Sequence, residues 1–269
     1  MKENQIDKDG ALHKYFSKSI PGPDDEYEKL LEAIEKQVVS DFKSKGIASP
    51  SVSAFGNASG DWYEIMVAAE FWNVCVDRDV MAVLLPNKSS LPFQHLYGGE
   101  SRAALDRLFE VMAKKNVTLL ASNPDFLIVN KSKLAAKKLK SKITRLGPDE
   151  VKIIRTAYLE FVGECAYKDI RGAVGLKTSN RPDRRLQSVQ EGSVLKAIAA
   201  HFQARFWDAD YRVKYVAATL NSSDADDEAL KTAATHTLVS VNMPIERAVD
   251  SITQLQRPRE VRALLASVL

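Results

Sequence analysis

Tyr27, Leu30, Leu31, Ile34, Val38 and Phe42 recur at helical spacing and form one apolar stripe, with Asp24 and Asp25 before it and Gly46 after it. That pattern predicts an amphipathic helix with acidic residues at its start and a glycine stop. From about Gly60 to Trp72 the chain is apolar almost all round: Trp62, Tyr63, Ile65, Met66, Val67, Ala68 and Ala69. A helix of this kind is buried on every side. Glu64 stands alone inside the run, and a carboxylate in such a place is costly unless something pairs with it.

Met81–Leu85 reads as a buried strand, and Leu105, Leu108, Phe109 and Met112 mark another amphipathic helix. Val117–Ala121 and Phe126–Val129 read as two strands around the turn Ser122-Asn123-Pro124-Asp125. A helix follows Gly147-Pro148-Asp149, with Val151, Ile154, Tyr158 and Phe161 on one face. Ala173–Ser179 is a short strand, and helix resumes from about Leu186 to Phe206. Strands are predicted at Val213–Thr219 and His236–Val241, and helices at about Ile245–Leu255 and Arg259–Leu269. No internal repeat is visible. Helices and strands interleave without a strict βαβ rhythm, which predicts an α/β fold with a mixed central β-sheet flanked by helices. Residues 1–23 read as a loosely ordered arm ending in Pro21-Gly22-Pro23, and 24–269 as a single domain.

Composition narrows the class. The chain has 269 residues, 45% hydrophobic and 27% charged, the usual balance of a water-soluble globular protein. The longest apolar runs, such as Val80–Pro86, are far short of a membrane span, so no membrane association is expected. Residues 1–10 are polar and acidic, unlike a signal or transit peptide, and a cytoplasmic location follows as the expectation. Cys75 and Cys165 are the only cysteines, too few for a structural zinc site, and read as core thiols. A net charge of +3 says little about nucleic acid by itself. Its distribution says more. Lys131–Arg145 holds seven basic residues and no acid, either a solvated helix face or a phosphate track, and Arg181, Arg184 and Arg185 form a second group.

The Gly-rich phosphate loops are absent, so no nucleotide cofactor is expected. There is no HExxH pair and no GxSxG elbow, which removes common zinc hydrolases and serine hydrolases. Acids and one lysine remain. Pro-Asp occurs four times; Asp24 and Asp149 open helices, whereas Asp125 immediately precedes the apolar strand Phe126-Leu127-Ile128-Val129. An acid at the mouth of a buried strand is either a turn residue or a metal ligand. Downstream, Lys177 sits in a strand after Leu176, where it must reach solvent, an anion or a carboxylate. Fourteen positions on (191 − 177), Glu191 occupies the first turns of the next helix. Asp125 and Glu191 are therefore placed to meet over the sheet edge with Lys177 between them. Two carboxylates and a lysine suit a magnesium-dependent phosphodiesterase: the acids hold hard cations, and the lysine steadies the attacking water and the developing charge.

Ser122-Asn123-Pro124-Asp125, then Lys177-Thr178-Ser179 with Arg181-Pro182-Asp183-Arg184-Arg185-Leu186-Gln187, then Glu191-Gly192, resemble the CCGG-recognising type II (type IIF) restriction endonucleases of the PD-(D/E)XK superfamily. The similarity is closest to the purine-CCGG-pyrimidine cutters, and it includes Gly60-Asp61-Trp62-Tyr63-Glu64 and Thr232-Ala233-Ala234-Thr235-His236-Thr237, so that it spans roughly residues 50 to 250. The superfamily's usual acid two residues before the lysine is Gly175 here; in this branch the second carboxylate moves to the following helix, as Glu191. The resemblance implies Asp125, Lys177 and Glu191 as the catalytic set, with Glu64 as an additional acid at the metal site and Mg2+ as cofactor. An ion pair with a core Arg or Lys is the alternative for Glu64. The family's His before the migrated acid is Gln190 in this chain.

Arg pairs bidentately with guanine O6 and N7, and Asp accepts from the cytosine amino group, so Arg181, Asp183 and Arg184 suit a major-groove reader of C and G edges. Without the flanking motif the same residues would be a surface ion-pair turn. Asn57, in the Phe55-Gly56-Asn57 turn, is a candidate for the outer base pair or simply a turn residue. A palindromic site in double-stranded DNA calls for a two-fold dimer, and the resemblance implies a dimer of dimers. Arg205 and Trp207, at the end of the helix carrying Glu191, are candidates for that interface, with core burial of Trp207 as the alternative. The implied function is a type II site-specific deoxyribonuclease cutting both strands before the first C of the core and leaving 5′ overhangs. The alternatives are a structure-selective or repair nuclease of the same fold, and a catalytically inactive DNA-binding protein.

Overall fold

Phe126, Leu127, Ile128 and Val129 are all buried, on both parities of one strand, so this segment must be covered on both faces. The computed structural model describes residues 5–86, 91–119, 123–131, 141–179, 181–221, 228–238 and 244–269. Among these, β1 (Val80–Leu84), β2 (Phe126–Asn130), β3 (Ile170–Lys177), β4 (Lys214–Thr219) and β5 (Ser251–Gln254) form one sheet in that order. β1, β2 and β3 pair antiparallel, and β3, β4 and β5 pair parallel. The sheet is mixed, as predicted.

The helices are α1 (Lys8–Tyr15), α2 (Tyr27–Ser44), α3 (Val52–Cys75), α4 (Gly99–Lys114), α5 (Pro148–Thr156), α6 (Pro182–Phe206), α7 (Thr235–Leu238) and α8 (Val261–Val268). α3 packs on β1 and against α2 and α8, whereas α6 packs on β3 and β4 and against α4. Strand parity separates these two layers. A Cβ at Gly172 would run into Val268 of α8, and one at Gly175, three residues on, would face Tyr215 and Glu191 of α6. Helices therefore cover both faces of β3. α3 is the all-apolar helix of the sequence, and its polar tips are satisfied: Trp62 Nε1 donates to the Lys8 carbonyl at 3.0 Å, Tyr63 Oη to Leu255 at 2.6 Å, and Trp72 Nε1 to Ser141 at 2.9 Å.

Several elements depart from the sequence expectation. Part of the supposed loose arm is α1, capped by Asp7, with Leu12 fully buried and contacts to α2, α3 and α5. Its apolar set (Ile6, Ala11, Leu12, Phe16) is too short to show a period, yet it is enough to seat one turn-pair of helix. The segment expected as a helix at Ile245–Leu255 instead contributes edge strand β5. Val249, Ile252 and Leu255 fall three apart and imitate a helical stripe, but β4 offers an open edge that recruits them. His236 lies in the short helix α7 rather than in a strand; 239–243 lie outside the described residues. Val117–Leu119 form no strand, and 120–122 are likewise outside, as is most of the basic run 131–145. α6 starts at Pro182, four residues earlier than expected, because proline is at home in the first helical turn. α3 begins at Val52, so Asn57 rides a helix and not a turn. Among the described residues no helix is long and apolar enough to cross a membrane.

Candidate active site

The register Phe126↔Val174 carries the end of β3 past the start of β2, so Leu176 and Lys177 lie alongside Asp125. The Asp125 carboxylate uses this position fully. Its Oδ2 accepts from the Leu176 amide at 2.5 Å and from Lys177 Nζ at 3.0 Å, while its carbonyl accepts from Leu85 at 2.9 Å. Upstream, Asn123 pins the approach: Oδ1 accepts from the Phe93 amide at 2.8 Å, and Nδ2 donates to the Pro86 and Leu91 carbonyls. The Asn-Pro-Asp turn is thus a braced mouth to a buried strand. Burial pulls the Lys177 ammonium down, but the Asp125, Glu191 and Glu64 carboxylates outweigh it and raise its pKa overall. Lys177 is therefore a fixed positive charge at neutral pH, not a proton acceptor.

A cleft of about 400 Å³ opens beside this pair, lined by Lys8, Asn57, Glu64, Asp125, Lys177 and Arg184 among others. Glu64 enters it from α3. Asp61, one turn before, is occupied by Arg155, whose Nη2 reaches it at 2.7 Å and also holds Asp9 at 2.8 Å. Glu191 lies one layer deeper, on α6, and is only 2% exposed. Its Oε2 accepts from Tyr215 Oη at 2.5 Å and its Oε1 from Gln187 Nε2 at 2.8 Å, and Gln187 itself lines the cleft. The glycine two residues before Lys177 has a physical reason: a Cβ on Gly175 would collide with the Tyr215 hydroxyl. No carboxylate fits on β3 there without displacing Tyr215.

The expected base readers stand on the first turn of α6. Arg181 and Asp183 are well exposed and paired at 2.9 Å, a surface pair with both partners accessible. Arg184 is tied to Thr178 Oγ1 at 2.9 Å and faces the cleft. Asn57 is exposed at the rim, where its carbonyl accepts from Lys8 Nζ at 3.2 Å. Arg205 and Trp207 lie at the far end of α6, away from this cleft; Trp207 is 94% exposed and takes a left-handed conformation as the helix cap, which removes the core alternative. Sequence reasoning missed Tyr215 and Lys8, and gave Gln187 no role beyond its place in the motif. Tyr215 reads as one aromatic in a buried strand, and Lys8 lay in the supposed arm, so neither carried a signal.

The donor set suits a hard divalent cation, since Asp125, Glu64 and Glu191 offer carboxylate oxygens. Among the described residues no three such groups already converge on one point. Asp125 is engaged by Lys177, and Glu191 by Tyr215 and Gln187. Glu64 carries the clearest mark of an unbalanced site. Burial, then the charges of Asp125 and Asp61, push its carboxyl up to about 8, against the opposing pull of Lys177 and Arg155. A cation beside Glu64 and Asp125 would offset that repulsion and expel the proton.

The sign of the pH effect follows. The unfolded carboxyl titrates near 4.5, so between there and about 8 the folded chain holds a proton that the unfolded chain has released. Stability is therefore lost as pH rises through that window, by at most about 1.4 kcal/mol per pH unit. In EDTA, urea denaturation of Glu64→Gln should show a flatter stability profile than the parent between about pH 5 and 8. Parallel profiles would place the proton elsewhere.

The chain is similar to known proteins over nearly its whole length. The family model described as Cfr10I/Bse634I restriction endonuclease matches residues 14–269. The type II restriction enzyme Cfr10I of Citrobacter freundii is 29% identical over 253 residues, covering 91% of this chain and 88% of that protein. The crystal structure of the type IIF restriction endonuclease Bse634I with cognate DNA superposes with a TM-score of 0.93 at 35% identity, over 98% of this chain and 93% of that one. A second Bse634I structure gives a TM-score of 0.91 at 35% identity, over 98% and 92%. With the family model matching residues 14–269 and the Bse634I fold shared over 98% of its length at 35% identity, this chain belongs to the Cfr10I/Bse634I family of restriction endonucleases, the type II site-specific deoxyribonucleases.

Proposed function

We propose that this chain cuts both strands of double-stranded DNA at a CCGG-centred palindrome, R/CCGGY, leaving 5′ overhangs, with Mg2+ as cofactor. Asp125, Glu191 and Glu64 are the metal ligands, and Lys177 completes the catalytic set. The observation that carries this is the Asp125–Lys177 pair at 3.0 Å, set in the same cleft as Glu64 and the reader residue Arg184. A solved relative, Bse634I, is bound to cognate DNA, which supports duplex DNA as the substrate.

Bound Mg2+ supplies Lewis acidity at the phosphodiester and a more acidic water. The chain's own residues do the rest. Lys177, held charged and pointed by Asp125, faces a non-bridging oxygen of the scissile phosphate and stabilises the charge that builds there. The amide of Leu176 keeps Asp125 from rotating away, so the lysine and the carboxylate arrive as one unit. Arg181, Asp183 and Arg184 stand at the start of the helix that follows β3, so base reading and the catalytic lysine lie four positions apart in the chain (181 − 177). On the duplex, the exposed Arg181–Asp183 pair exchanges its mutual bond for guanine and cytosine edges, which costs little because surface pairs are weak. Asn57 stands at the rim, where an outer base pair would pass. Two copies related by a two-fold axis address the two strands, and Trp207 and Arg205 join such dimers in pairs.

Asp125→Ala and Lys177→Ala should abolish cleavage while much of the specific binding to a CCGG duplex survives. Arg181→Ala or Arg184→Ala should weaken or relax recognition by about 1–3 kcal/mol per lost bidentate contact. Gel-shift affinities and cleavage rates on cognate and single-mismatch duplexes check both. Arginine variants with unchanged selectivity would refute the reader assignment. Trp207→Ala should halve the sedimentation mass; an unchanged mass would remove Trp207 from the interface.

A further inference from the structure

Tyr215 is fully buried between β3 and α6, and two glycines make the space it fills. A Cβ on Gly175 would strike its hydroxyl, and one on Gly192, the residue after Glu191, would press its ring at 3.2 Å while colliding with the Ala248 carbonyl. Both neighbours are thus cut down to hydrogen where the ring passes. What the ring delivers at its far end is a hydroxyl 2.5 Å from Glu191 Oε2. A buried phenol needs a partner, but a phenylalanine would fill the same volume without that requirement. The other oxygen, Oε1, is held by Gln187 Nε2 at 2.8 Å, and Gln187 borders the cleft whereas Tyr215 does not. The two oxygens of Glu191 therefore have different surroundings: one is anchored to the β4 strand, and the other meets the amide of a residue that lines the cleft.

We propose that Tyr215 is the positioning residue of the helix-borne carboxylate: its hydroxyl fixes Glu191 Oε2, leaving Oε1 as the oxygen that exchanges the Gln187 amide for a divalent cation. The inference rests on Glu191 being a metal ligand. It also accounts for the pairing of glycine at 175 with carboxylate at 191. On β3 the acid's place is taken by the tyrosine that orients its replacement. Groups that orient a ligand in this way are worth 10- to 100-fold in metal affinity or activity.

Mn2+ binding to the full-length protein, read by electron paramagnetic resonance without DNA, tests this. Tyr215→Phe should bind Mn2+ about 10- to 100-fold more weakly while keeping the parent's affinity for a CCGG duplex in EDTA. Glu191→Gln should show a loss at least as large, and adding Tyr215→Phe to it should cost nothing more. Should Tyr215→Phe fail to fold, Tyr215→Met fills the ring's space without a hydroxyl and gives the same readout. Parent-like Mn2+ binding by a folded Tyr215 variant, beside a clear loss in Glu191→Gln, would overturn the role of Tyr215 alone. Undiminished binding by Glu191→Gln would overturn the ligand assignment and the inference with it.

Discussion

A carboxylate and an ammonium share the end of the β2–β3 pair, and the placement of the other cleft groups follows from them. Asp125 is 5% exposed and spends one oxygen on both the Leu176 amide and Lys177. Breaking a buried pair of this kind leaves an uncompensated charge and costs about 3–5 kcal/mol. The pair holds a positive charge fixed at the wall of the cleft. Glu64 brings a second carboxyl to the same cleft, where burial, and then the charges of Asp125 and Asp61, push it up to about 8. At Glu64 itself, burial and the two neighbouring carboxylates outweigh the pull of Lys177 and Arg155. A divalent ion is the natural complement of that imbalance.

In the proposed function, recognition and chemistry would be joined by the shortness of one connection. β3 ends at Lys177 and α6 begins at Pro182, so a displacement of the proposed reader residues by duplex DNA would bear directly on the lysine and, two turns into α6, on Glu191. Arg184 makes the link tangible through its bond to Thr178, the residue after Lys177. A base pair that misplaces this turn would also misplace the catalytic groups, and displacements of about 1 Å are enough to lower a rate a hundredfold.

Most of this was legible in the sequence where chemistry restricts residue choice. Asp125 before an apolar strand, Lys177 within one and Glu64 on an all-apolar helix each conflict with local hydrophobicity, and the structure brings all three to one cleft. Glu191 was placed on the right helix, though its partners were not foreseen. What escaped was set by long-range packing. Tyr215 is 24 residues from Glu191, and nothing in a buried strand distinguishes a phenol that orients a carboxylate from one that fills a core. The β5 edge reads as a helix in the sequence because three apolar residues at a spacing of three fit either period when the strand is short. α1 was missed because four apolar side chains in a polar arm show their purpose only against α2, α3 and α5.

Digestion of a fully sequenced DNA by the purified protein with Mg2+, with every cut end mapped, tests the joining of recognition to cleavage most directly. Ends confined to R/CCGGY, each with a four-base 5′ overhang (the CCGG core), are the predicted result. Cuts at junctions, nicks without a consensus, or ends at palindromes lacking CCGG would contradict it.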